Sequence, residues 1–339
     1  MLEKKKIILN LVKEHNTLTK PQISEMMSVS LTTINKYVNE LVEKNFLMEE
    51  VSDRKKTEGK PPSFYKINSS YRKLMAVYLE KDRLEISVTD NLGNIQETRV
   101  FDIENRNSFT EKILCSEILQ VIKELDLKDC ISVISIGIPG ILGEDNKITE
   151  IPSFPKLEGK NIIAALNKKL QIPVIVENDI NLTIKALHNR NQYKKYKNLV
   201  YFFIRNNIGG GIISDGALYK GYSNLSGEFT YLGVDKEYLS RYDVMSSENA
   251  EKYFVEKMKS EEKIEFLLFV FLRIIVTLNP EILFIETNYI QKNEIKILNE
   301  RLETFFKKTY LPKIILIEND GLGEEGTITN ALEIFYSKD

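Results

Sequence analysis

The sequence predicts an α/β protein in two parts: a small tri-helical head and a larger body that uses one βββαβαβα plan twice. Three observations carry this. Apolar residues recur at helical spacing in three runs between residues 7 and 44, separated by short breaks. From residue 74 onward, short runs rich in β-branched and aromatic residues alternate with helical stretches. The order of elements then starts again near residue 198, as expected for two α/β lobes.

The head is residues 1–70. Ile7, Ile8, Leu11 and Val12 make the apolar stripe of its first helix. Thr19-Lys-Pro-Gln22 reads as a capping box, with a hydroxyl before the first turn, Pro inside it and Gln at the third position. It opens a second helix whose apolar residues are Ile23, Met26 and Met27. Ser30 is placed to cap a third helix reaching about Lys44. On that helix Leu31, Ile34, Val38, Leu41 and Val42 share one face, while Thr32, Thr33, Asn35, Lys36 and Asn39 share the other. Such a polar face suits base reading: Asn pairs bidentately with adenine, Thr meets a thymine methyl, and Lys reaches guanine or phosphate.

Two strand-like runs, Phe46–Val51 and Ser63–Ile67, then flank a basic tip that holds Arg54, Lys55, Lys56 and Lys60. The combination predicts a winged helix-turn-helix. It would bind double-stranded DNA through Ser30, Thr32, Thr33, Asn35 and Lys36, with the wing adding phosphate or minor-groove contacts. A three-helix protein-interaction module with a solvated charged loop is the other reading of the same pattern. Charge favours DNA: residues 1–73 carry 14 Lys and Arg against 9 Asp and Glu, whereas the remainder carries 33 against 40.

Composition bounds the rest. A length of 339 residues suits two or three domains, and 42% hydrophobic with 28% charged residues is ordinary for a globular protein. Cys115 and Cys130 are too few for a disulfide framework. The N-terminus shows no basic-then-apolar leader, and the most apolar run, Phe266–Leu278, is shorter than the ~20 residues a bilayer span needs. These features predict a cytoplasmic protein with no membrane partner.

The body is residues 71–339, with lobes at about 71–177 plus the last helix, and 178–322. Leu74–Glu80, Leu84–Thr89 and Asn94–Asp102 read as strands with a turn at Asp90-Asn-Leu-Gly93. A helix (108–125), a strand (131–138), a helix (159–170), a strand (173–177) and a helix (180–190) follow. The second round has strands near 198–205, 209–214 and 217–220, turning at Asp215-Gly216. Helical sequence then runs to about 278, followed by a strand (281–286), a helix (291–307), a strand (313–318) and a last helix from about 324. Strand ends and helix starts of such lobes face a cleft where small molecules bind. SIGIPG (Ser135–Gly140) ends one strand in a Pro-Gly turn, and Ile175-Val-Glu-Asn-Asp179 ends another. Asp179 has two readings, as the cap of the following helix or as a ligand-facing carboxylate. GGGII (Gly209–Ile213) and Ser226-Gly-Glu-Phe229 complete the set.

In this order and spacing, SIGIPGILG, IPSFPKLEGKNI, VIVENDINL, NNIGGGIISDGALYKG, GEF, LNPEILFIE and GEEGTITNAL resemble the ROK family of repressors and sugar kinases. The resemblance covers nearly the whole chain, and the head followed by EGKPP is similar to the family's repressor branch. It implies a two-lobed actin-like, ribonuclease-H-like ATPase fold in a sugar-responsive DNA-binding regulator, most often a homodimer or homotetramer. Pro139, Gly140, Ser153, Asn178, Asp179, Glu228 and Tyr231 would then face the effector.

Three departures from the family pattern bear on chemistry. The first phosphate segment, Asp-x-Gly-Gly-Thr in family kinases, is here Leu79-Glu80-Lys81-Asp82-Arg83. The second, Gly-Thr-Gly-Ile-Gly, is Arg205-Asn206-Asn207-Ile208-Gly209. Phosphoryl transfer depends on positioning and charge stabilisation, so neither nucleotide cofactor nor catalysis is expected, although Asp179 matches the family's catalytic base. The family's zinc-binding His falls on Tyr231 and its three Cys are missing, so no metal is expected. The family's sugar-binding Asn falls on Ser153. Two alternatives stay open beside the repressor reading: an ATP-dependent sugar kinase, and a regulator whose body is an oligomerisation or protein-partner scaffold.

Overall fold

The structure, a computed structural model, describes residues 3–51, 62–80, 82–205, 208–243, 246–318 and 321–337. The expected wing tip with Arg54, Lys55, Lys56 and Lys60 lies outside the described residues. Three helices, Glu3–His15, Lys20–Met27 and Leu31–Glu43, build the head together with an antiparallel strand pair, Leu47–Val51 and Ser63–Ile67.

Local signals set the head's boundaries. The capping box at Thr19 forms in both directions: Thr19 N donates to Gln22 Oε1 at 2.8 Å, and Gln22 N to Thr19 Oγ1 at 3.4 Å. Ser28 ends that helix in the left-handed region, and Ser30 caps the next by accepting from Thr33 N. Ile8, Leu9, Val12, Leu18, Ile23, Ile34, Val38, Leu41, Leu47, Tyr65 and Ile67 form the head's core. Burying side chains of this size stabilises by about 1.5–3 kcal/mol each. Leu31 and Met26, which share the apolar pattern, are exposed. Leu31 is the first helical residue, and a helical side chain leans back toward the N-terminus, here past the end of the core.

The body repeats its topology as the sequence predicts. One five-stranded sheet runs Ile95–Asp102, Arg83–Asp90, Lys73–Leu79, Ile131–Ile138, Val174–Asn178. The other runs Ala217–Leu218, Ile208–Ser214, Leu199–Ile204, Ile282–Thr287, Lys313–Leu316. Both have the order third-second-first-fourth-fifth. Each opens with antiparallel hairpins, and in the second sheet Leu199–Ile204 then pairs in parallel with Ile282–Thr287. The hairpins turn where the sequence places them. Asp90 Oδ1 accepts from the backbone of Leu92 and Asn94, both at 2.9 Å, and Gly93 takes φ +92°. Asp215 and Gly216 both have positive φ, the geometry a two-residue hairpin needs.

Two helices are shorter than expected: the one placed at 291–307 is Lys292–Leu302, and the one placed at 159–170 is only Ile162–Asn167. Gly159 N donates to Ile148 O and Ile148 N to Lys160 O, so the backbone at 159–160 is committed to pairing with Ile148.

The chain divides into two compact units, residues 1–136, 162–176 and 327–339, and residues 137–161 and 177–326. The head thus belongs to the same unit as the first sheet. Phe46 of the head lies 5.8 Å (ring centroids) from Phe335 of the last helix, and Tyr336 OH donates to Asn91 O at 2.7 Å. No helix among the described residues is long and apolar enough to cross a membrane.

Candidate nucleic-acid interface and effector site

On the third helix the two predicted faces separate. Ile34, Val38 and Leu41 are buried, while Thr32, Lys36 and Asn39 are exposed and Asn35 is half-buried. Ser30 Oγ and Thr33 Oγ1 share a hydrogen bond of 2.9 Å, so both hydroxyls are engaged at the helix start. Thr32 and Lys36 are exposed and Asn35 half-buried on the face opposite the core. Sequence reasoning missed Lys20. Its ammonium donates to Asn39 Oδ1 at 2.7 Å and lies 5.0 Å from the Tyr65 ring, which adds a cation from the second helix to the polar face of the third. Only the Thr-Lys-Pro start of that helix hinted at it.

All the expected effector residues lie in the second unit. Three hydrogen bonds hold the Asn178 side chain. Oδ1 accepts from Ile180 N at 2.9 Å and Asn181 N at 3.1 Å, and Nδ2 donates to Gly140 O at 3.1 Å. Asn178 is therefore the cap of helix Asp179–Asn189, and Asp179, one of whose readings was that cap, is instead its first residue. Asn178 also ties this helix start to the Pro139-Gly140 turn. Gly140 is required there, since a Cβ would sit 2.6 Å from Glu150 O. Ser153, half-exposed, follows two residues beyond Ile151.

Glu177 anchors the same helix start from behind. It is buried, and accepts from Asn178 N and Asn181 Nδ2, both at 3.0 Å, and from Lys220 Nζ at 3.0 Å. A carboxylate with three donors beside a helix N-terminus is well stabilised. Neither Lys220 nor Asn181 was singled out by sequence, because their convergence on Glu177 is tertiary.

Glu228 and Tyr231 sit at the short 3-10 turn Phe229–Gly233. Burial, then the Glu150 and Glu251 carboxylates, push Glu228 up to about 7. The Tyr231 phenol is raised by burial and by Glu150 and Glu228. Glu150, unremarked in the sequence, is thus electrostatically coupled to both. Close glycine packing places this turn. A Cβ on Gly210 would lie 2.1 Å from the Phe229 ring, and one on Gly227 would lie 2.0 Å from Gly210 O.

Each of the two segments that resemble the kinases' phosphate loops carries an ion pair. Arg83 Nε meets Glu80 Oε2 at 2.7 Å, beside a hollow of about 580 Å3 in the first unit lined by Glu80, Asp82, Arg83, Asp102, Ile103 and Glu104. Arg205 Nη2 meets the buried Glu286 Oε1 at 3.0 Å, and Tyr201 OH donates to Glu286 Oε2 at 2.6 Å. Asn206 and Asn207 lie outside the described residues. Among the described residues, no group of three or more His, Cys, Asp or Glu is placed to hold a metal ion.

A winged helix-turn-helix head and a sugar-kinase-like α/β body define the class. The comparisons add the family: residues 75–240 match the ROK family and residues 1–48 a winged helix-turn-helix DNA-binding family, so the body carries a ROK family domain and the head a DNA-binding one. The xylose repressor of Staphylococcus xylosus is 26% identical over 230 residues, covering 67% of this chain and 59% of that protein. That of Bacillus subtilis is 24% identical over 233 residues, covering 68% of this chain and 60% of the relative. The matched segment thus spans about 60% of these repressors. Among solved structures, a ROK family transcriptional regulator described as a homolog of the E. coli MLC protein superposes with a TM-score of 0.73 at 17% identity, covering 97% of this chain and 96% of that one. A ROK hexokinase from Thermus thermophilus gives 0.59 at 16% identity, covering 78% of this chain and all of its own. These neighbours share the fold, and the match to the regulator extends through the head.

Proposed function

We propose that this protein is a cytoplasmic DNA-binding repressor of carbohydrate-metabolism genes, released or engaged by a sugar bound in its second unit. The observation that carries the reading is the pairing of a base-reading helix with a body whose phosphate segments are occupied by ion pairs. Thr32, Asn35 and Lys36 read bases or phosphates in the major groove. Lys55, Lys56 and Lys60 hold the DNA backbone, and a homodimer or homotetramer matches a partly symmetric operator. The relatives named xylose repressor support this assignment. Asn178, Asp179, Glu228 and Tyr231 form the effector's hydrogen-bonding wall. The ligand acts by binding one conformation of the body better than another. Phosphoryl transfer is not part of this reading, which is supported by the Glu80–Arg83 and Arg205–Glu286 ion pairs in the two segments that resemble the kinases' phosphate loops.

The test is a footprint on DNA upstream of the protein's own gene, with and without D-xylose. A protected site whose protection does not respond to any sugar would leave only the scaffold reading. Asn35→Ala is expected to lose about 1–3 kcal/mol of discrimination at one base pair, a relaxation of roughly 5- to 150-fold in competition binding. Lys56→Ala should weaken all sequences alike and lower the slope of log K against log salt by about 1.

Glu228 supplies a pH test. Its folded carboxyl titrates near 7, well above the ordinary 4.5. Its protonated form therefore favours the folded state: this contribution is fully present below about 4.5, and is lost as pH rises to about 7. Glu228→Gln is expected to flatten the fall in melting temperature across that window, leaving the variant more stable by on the order of 1–2 kcal/mol at pH 8.

A further inference from the structure

We infer that Lys20 is a positioning residue for base reading, which turns the Asn39 side chain into a donor in the major groove. The base pair facing Asn39 is then read as guanine and not as adenine. The inference rests on the DNA-binding reading of the head. Its basis is the contact that joins the second helix to the third, in which Lys20 Nζ donates to Asn39 Oδ1 at 2.7 Å. An ammonium offers hydrogens and no acceptor, so the carbonyl end of the Asn39 amide must face it. The other end, Nδ2, has no hydrogen-bond partner among the described residues. Asn39 is exposed and shares the polar face with Thr32, Asn35 and Lys36, about two turns along the helix from Thr32.

The fold sets this arrangement before any DNA arrives. Leu18 N donates to Tyr65 O at 3.1 Å and Tyr65 N to Leu18 O at 2.8 Å, so strand Ser63–Ile67 holds the residue that precedes the Thr19 box. The box and Pro21 then fix the helix start from which the Lys20 side chain leaves. Tyr65 is buried, its hydroxyl donates to Glu49 Oε1 at 3.1 Å, and its ring lies 5.0 Å from the Lys20 ammonium. A fixed ring at that distance attracts the cation and keeps it beside Asn39. An Asn with both ends open pairs with adenine by accepting from N6 and donating to N7. With Oδ1 taken by Lys20, adenine loses the first bond and its amino group is left without an acceptor. Guanine presents only acceptors, N7 and O6, which suit both amide hydrogens and the neighbouring ammonium. Asn35 has no such lysine contact among the described residues and keeps both ends for adenine.

The experiment selects sites for the full chain from a duplex library of random sequence, then measures competition by single-base variants of the selected site. Asn39→Ala identifies its base pair as the position where preference disappears. In the parent that position is expected to be guanine, with adenine weaker by roughly tenfold. Lys20→Met frees Oδ1 and should lower the guanine-to-adenine ratio there by roughly tenfold or more. Lys20→Arg, which still donates, should keep guanine. A Lys20 that only touched phosphate would weaken all sequences alike on substitution and leave the ratio unmoved. The parent's own base at that position tests the inference even if Lys20→Met fails to fold. Adenine there in the parent, a ratio unchanged by Lys20→Met, or no position that responds to Asn39→Ala overturns the inference and leaves the DNA-binding reading standing. A library from which the full chain selects no sequence removes both.

Discussion

Gly227→Ala is expected to destabilise the second unit by about 4 kcal/mol or more, near the limit of what a single substitution does. Two effects combine. Gly227 has φ +105°, which an L side chain rarely adopts, and its added Cβ would sit 2.0 Å from Gly210 O. The obstacle is backbone inside a strand, so a flexible side chain cannot swing away. Gly210 cannot retreat either, because Phe229 occupies the space above it. Gly216→Ala is the control: it shares a positive φ of 79° but has nothing within 4 Å of the new Cβ, so only the conformational penalty of about 1–2 kcal/mol applies. Urea unfolding of both variants measures the difference. Comparable losses would show that strain, and not the Gly210 contact, governs the site. Since Glu228 is the next residue, effector affinity should fall with the first substitution and not with the second.

That contact also shows where sequence reading stops. The turns at Asp90–Gly93 and Asp215-Gly216, the Thr19 box and the Ser30 cap were all legible, because each is decided within a few residues. The repeated succession of elements was legible for a related reason, since strand and helix periods recur in the same order; the order of strands within each sheet was not. GGGII lies in the strand read at 209–214, but nothing in that pattern shows that its glycines admit Phe229 and Ile184, which come from elsewhere in the chain. Periodicity carries no information on such close approaches. The same holds for the site. Asn178 and Asp179 stood out by position, but the assignment of the cap to Asn178 needed the geometry at Gly140. Glu150, Lys220 and Lys20 matter through partners distant in sequence, and no local pattern marks them.

The second large effect concerns the pair that occupies the second phosphate segment. Arg205→Ala is expected to cost about 3–5 kcal/mol, because it strips the cation from a carboxylate that is already buried. Glu286 is 1% exposed at the end of strand Ile282–Thr287, beside the strand that Arg205 follows. Burial already raises its carboxyl, and the Tyr201 hydroxyl and Arg205 only partly offset this. Without Arg205 the folded carboxyl rises further, so the variant's stability should be greatest at low pH and decline as pH rises through the shifted value. Glu286→Gln in the Arg205→Ala background should recover much of the loss and remove that pH dependence, since the amide needs no counter-charge. Equilibrium unfolding of the single and double variants at pH 5 and 8 tests both points. A single variant as stable as the parent would mean that the Tyr201 hydroxyl alone suffices to hold the buried Glu286 carboxylate. The expected result instead makes the ion pair part of the fold: emptying the segment to admit a nucleotide would first have to unmake the end of the central strands.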